Sequence, residues 1–121
     1  MKITLDRADR AYAALASLDG KFEFGSEATW ALAGTMVGLE DALRSYRRSR
    51  DMKIKELSKG VGRIDPETDP EAAAKFMAFD AELVAKEVEV TQSLTRQMLD
   101  LDKNRIPPAT IAALIPLMKE V

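Results

Sequence analysis

The chain has 121 residues, a formal net charge of −2, no cysteine and no histidine. One domain is the natural size for this length, and the missing residue types exclude disulfides, thiolate ligands and thiol nucleophiles, together with the commonest general base and the commonest transition-metal ligand. A net negative chain lacks the strongly basic balance of a whole-molecule grip on nucleic acid, and with four Phe, two Tyr and one Trp the core must come mostly from Leu, Ile, Val, Met and Ala, a composition that suits helices.

Leu5, Ala8, Tyr12, Leu15 and Leu18 fall at steps of three and four, which predicts a helix from Thr4, its cap, to Leu18. Asp19-Gly20 should end it, because glycine accepts the left-handed conformation common beyond a helix C-terminus. Lys21-Phe22-Glu23-Phe24 alternates polar and apolar, as a half-buried strand does, before Gly25-Ser26 breaks the pattern.

Ser26 is read as the cap of a second helix reaching Ser58, with Leu32, Met36, Leu39, Leu43, Tyr46, Lys53 and Leu57 on one stripe. Such a helix would run ~50 Å at ~1.5 Å per residue, more than a small domain needs. It should bend at Gly34 and Gly38 or project its far end toward a partner. Ser58 to Pro70 holds Gly60, Gly62, Pro66 and Pro70 and is read as a flexible loop near 58–70.

Asp69-Pro70-Glu71 combines a capping side chain, a proline at the first helical position and an acid in the first turn. Phe76, Phe79, Leu83 and Val84 supply the buried face of the helix that follows. Residues 88–95 fit either alternation or a continuing helix; β-branched Val88, Val90, Thr91 and Thr95 favour an extended piece, paired with Lys21–Phe24 as a two-stranded ribbon. Ile106-Pro107-Pro108 opens a short apolar helix carrying Ile111, Leu114, Ile115, Leu117 and Met118, which Pro116 should kink or end. The fold class expected is mainly α, one helical domain over 1–121 with one long helix and a minor β-ribbon. No apolar run approaches the ~20 residues of a membrane span, and Met1–Arg7 lacks a signal-peptide core. A soluble cytoplasmic protein is expected.

Arg44, Arg47, Arg48, Arg50, Lys53, Lys55 and Lys59 crowd into one segment opposed by Asp51 and Glu56. Arg44, Arg47, Arg48 and Asp51 share a helix face that could bind phosphates; the plainer expectation is a solvated face pairing with the acidic segment Asp65–Glu89. Asp65, Glu67, Asp69 and Glu71 alternate with the spacing of calcium ligands in a loop, but Pro70 stands at the sixth position and Phe76 at the twelfth, where an EF-hand wants Gly and Glu. Helix capping is the expected role, and no metal site is expected. Gly60-Val61-Gly62 lacks the Gly-Lys-Ser/Thr of a phosphate loop, and Asp100 and Asp102 have no third ligand beside them. Trp30 lies off the apolar stripe; it is either an exposed anchor of the kind enriched at interface hot spots or, on the plainer reading, packed against Phe22, Phe24 or the C-terminal helix. Ile111, Leu114 and Leu117 either close the chain's own core, the plainer reading, or dock on another subunit.

The order Lys2-Ile3-Thr4, Ala14-Leu15 with Leu18, Leu39-Glu40 with Leu43, Tyr46 and Arg50, then Glu87-Val88-Glu89-Val90, and Ile106-Pro107-Pro108 with Leu114-Ile115-Pro116-Leu117 resembles a family of small tailed-phage and prophage proteins of unassigned function. It covers nearly the whole chain in short pieces. Where family members often carry a lysine–tyrosine–glycine turn after the long helix, this chain has Lys59-Gly60-Val61-Gly62. The resemblance implies a phage or prophage origin, a place in the bacterial cytoplasm or the virion, and no catalytic or cofactor residues to carry over.

The leading expectation is therefore a non-enzymatic structural or assembly module that contacts copies of itself, or a tail or neck component, through the long helix and Ile111–Met118. The alternatives are an inhibitor presenting its acidic surface to a host defence complex, and a weak nucleic-acid binder through residues 44–59. The candidate interaction residues are Trp30, Arg44, Arg47, Arg48, Arg50, Lys55, Ile111, Leu114 and Leu117. No cofactor and no membrane contact are expected.

Overall fold

The computed structural model describes residues 2–119. It is mainly α: strand β1 (Lys2–Thr4), helix α1 (Leu5–Leu18), the long helix α2 (Ser26–Leu57), α3 (Pro70–Val84), strand β2 (Glu87–Glu89), the short α4 (Arg96–Leu99) and α5 (Pro108–Leu114), which tightens into a 3₁₀ turn over Ile115–Leu117.

The helix boundaries follow local chemistry. Thr4 caps α1 by accepting from the Arg7 N–H at 3.3 Å, and Gly20 takes a φ of +72° just past its end. Asp69 caps α3 through the Ala72 N–H at 3.1 Å, with Pro70 at the first position. The Asp65 carboxylate accepts from the Glu67 N–H at 3.0 Å, so these loop acids serve turns and caps. At the start of α2 the cap is Gly25, without a side-chain bond, and Ser26 is already helical. Pro116 ends the α-helical hydrogen bonding after Leu114, as its missing N–H requires.

The ribbon pairs differently from the expectation. Lys21–Phe24 forms no strand; β2 instead pairs antiparallel with β1, Ile3 opposite Val88. The Leu5 N–H donating to Lys86 O at 2.8 Å extends the ladder into the first turn of α1. Residues 90–95 leave the ribbon without continuing its strand, and Leu94 bridges instead to Met118 in parallel sense, with the Lys119 N–H donating to Leu94 O at 2.7 Å.

A single cluster of buried residues forms the core, led by Ala8, Ala11, Leu15 and Leu18 of α1, Leu39 and Leu43 of α2, and Leu94, Leu99, Leu114 and Leu117 from the C-terminal third. Burial of such side chains contributes roughly 1.5–3 kcal/mol each. In α3, Ala72 and Leu83 are buried, whereas Phe76, Phe79 and Val84 are half-buried. The far end of α2 does not project alone, because α3 packs along it. Among the described residues no helix is long and apolar enough to cross a membrane.

Candidate interaction face of the long helix

The periodicity of α2 sends Leu32, Leu39, Leu43 and Tyr46 into the core, which leaves the opposite side of a 32-residue helix in solvent. Down that side run Trp30, Gly34, Val37, Asp41, Arg44, Arg48, Asp51 and Lys55, all exposed. Trp30 is 80% exposed and Val37 60%, and Met52 beside the same line is 62% exposed. Trp30 therefore does not pack against Phe22, Phe24 or the C-terminal helix. Position along a helix decides this: Leu32 and Met36 turn toward α1 and the loop at 20–25, and Trp30 points away from them.

The seven cations divide by direction. Arg47 reaches α1, where its guanidinium lies 3.7 Å from Asp9 and 4.9 Å from the centre of the Tyr12 ring. Arg50 turns to α3, with Nε 3.0 Å from Asp80 Oδ1 and the guanidinium between the Tyr46 and Phe76 rings. Lys53 lies over Phe79 and 3.6 Å from Glu56. Arg44 pairs with Asp41 at 3.2 Å on the outer face. Among the described residues Arg48, Lys55 and Lys59 enter no ion pair.

Pairing between the basic segment and Asp65–Glu89 is thus confined, among the described residues, to Arg50 with Asp80. The other partners come from α1 and from α2 itself, because i,i+3 neighbours are in reach whatever the tertiary fold. Arg50 and Arg47 belong to helix packing. The outer patch keeps Arg44, Arg48 and Lys55, with Arg47 at its edge and Glu40, Asp51 and Met52 beside them.

The C-terminal candidates separate in the same way. Leu114 and Leu117 are 0% exposed and close the chain's own core, so they form no docking surface. Ile111 is half-buried, and the exposed apolar residue of this segment is Ile115.

Two features had no signal in the sequence pattern. Asn104, 5% exposed, accepts from the Glu23 N–H at 3.1 Å and donates to Glu23 O at 2.7 Å and to Leu99 O at 3.1 Å. The side-chain amide takes the place of a strand partner for Glu23. Beside it, an open apolar groove of about 690 Å³ is lined by Leu15, Leu18, Phe22, Phe24, Leu32 and Met36. Glu23 and Lys103 pair at 2.9 Å at its edge; the hydrogen bond between them, then the partner's opposite charge, lowers the Glu23 pKa and raises that of Lys103.

Compared with protein-family models, with curated proteins and with solved structures, the chain gives no match.

Proposed function

We propose that this chain is a non-enzymatic protein–protein interaction module that docks through the outer face of α2, acting as a structural or assembly component of a phage or prophage system. The observation that carries the docking face is Trp30, 80% exposed and in line with exposed Val37 on the side of α2 turned away from the core. An indole left in water gives up burial worth roughly 3 kcal/mol or more, and Trp, with Tyr and Arg, is enriched at interface hot spots. The phage setting rests on the sequence resemblance.

Affinity capture from bacteria carrying the parent phage or prophage tests this reading, with wild type and a Trp30→Ala/Val37→Ser variant as paired baits. Wild type should retain specific phage proteins that the variant loses while melting at the same temperature. Identical captures by the two baits would remove the outer face of α2 from the interaction.

A second reading has its own observation: Arg48, Lys55 and Lys59 enter no ion pair among the described residues. Phosphate binding there predicts a gel shift at low salt that weakens steeply as salt rises. It should disappear in an Arg44→Ala/Arg48→Ala/Lys55→Ala variant. Absence of any shift at low salt rejects this reading.

A further inference from the structure

We infer that the outer face of α2 pairs with the same face of a second copy of this chain, antiparallel, about a twofold axis that passes between Ala42 and Leu43. This inference rests on the docking face proposed above and names its occupant.

The residues of the outer line follow one another at alternating steps of four and three: Trp30, Gly34, Val37, Asp41, Arg44, Arg48, Asp51, Lys55. Two helices packed side by side keep a continuous contact line at this spacing, and here its uncharged members are Trp30, Gly34 and Val37. The charges on the line are segregated. Trp30, Gly34 and Val37 are neutral, and the cations begin at Arg44. A parallel pair would stack Asp41 on Asp41, Arg44 on Arg44, Arg48 on Arg48 and Lys55 on Lys55, so like charges would meet at each of those layers.

Reversal of one copy removes every one of those clashes. Around the axis, Asp41 of each copy faces Arg44 of the other. These two residues already pair within one helix at 3.2 Å, with their side chains 66% and 74% exposed, so the two pairs set four charges alternating in sign. One layer out, the aliphatic stem of Arg48 crosses Val37 while its guanidinium stays wet. Farther out, Asp51 comes opposite Gly34, where a Cβ would meet nothing of the chain's own within 4 Å. At the ends the Lys55 ammonium comes over the exposed Trp30 ring, the geometry of a cation–π contact. The interface is isologous and closes on itself at two copies.

Charge reversal supplies the test, read by sedimentation equilibrium up to roughly 0.5 mM, a range in which weak polar interfaces populate. Wild type should form a dimer that weakens as salt rises. Asp41→Arg and Arg44→Asp should each weaken it about tenfold or more, because the altered contact occurs twice in a twofold dimer. An equimolar mixture of the two variants should form a one-to-one heterodimer, and the double variant Asp41→Arg/Arg44→Asp should recover wild-type association.

Orientation is read separately by disulfide trapping, which is clean because the native chain has no cysteine. Val37→Cys mixed with Arg48→Cys should cross-link under mild oxidation, and Val37→Cys alone should not. A strict monomer over the whole range overturns the inference. So does a dimer indifferent to both charge reversals, or cross-linking of Val37→Cys with itself. None of these outcomes depends on the Trp30 capture experiment, so the second copy and the wider docking reading fail or stand separately.

Discussion

Arg50 Nε lies 3.0 Å from Asp80 Oδ1, and the Tyr46 hydroxyl donates to the same oxygen at 3.5 Å. This one carboxylate joins α2 to α3. Arg50 Nε is buried and forms no directed hydrogen bond, so its attraction to Asp80 is Coulombic, supplemented by the flanking Tyr46 and Phe76 rings.

Asp80→Ala should lower stability by about 1–2 kcal/mol, between the values for an exposed pair and for a fully buried one, since both side chains are about a third exposed. Urea denaturation followed by circular dichroism measures it. An unchanged midpoint would mean that the α2–α3 contact rests on apolar packing alone.

Asn104→Ala should be more damaging, by about 2–3 kcal/mol, because it strips hydrogen bonds from Glu23 N–H, Glu23 O and Leu99 O together. The loop at 20–25 should then become a preferred protease site. If limited proteolysis cuts wild type and variant at equal rates there, Asn104 is not what anchors that loop.

The Glu23–Lys103 pair has a predictable pH window. A carboxylate whose folded pKa is depressed adds stability above its unfolded pKa and loses it as pH falls through the folded value; the raised Lys103 adds stability that disappears as pH climbs through its own folded value. The difference in melting temperature between wild type and Lys103→Ala should therefore be greatest near neutrality and vanish in acid. Both groups are exposed, so the difference is small and high salt should erase it. A difference that persists well below the ordinary glutamate range would contradict the ion-pair account.

Gly38→Ala should stabilise the chain by about 0.5–1 kcal/mol, since a Cβ there meets nothing within 4 Å and alanine is the better helix former. Thermal melting checks the sign. Destabilisation would reveal a close neighbour that the folded monomer does not have.

Much of this molecule is written in short-range chemistry. Thr4, Gly20, Asp69-Pro70 and Pro116 mark element ends through bonds and torsions spanning at most four residues, so the sequence alone locates both ends of α1, the start of α3 and the break after Leu114. The stripe of Leu32, Leu39, Leu43 and Tyr46 likewise determines which side of α2 is buried and, by elimination, that Arg48 and Lys55 face outward. Long-range choices are different. Lys21–Phe24 alternates as a strand does, yet the strand is Lys2–Thr4; what separates them is the docking of α1, which carries Ile3 beside Val88, while Asn104, 81 residues distant, takes the partner's place for Glu23. The fates of Arg50 and Leu114 were decided in the same way. Periodicity tells which residues share a face, but whether a given face meets solvent, a ring or another helix depends on contacts between residues far apart in the chain, and no local pattern carries that information.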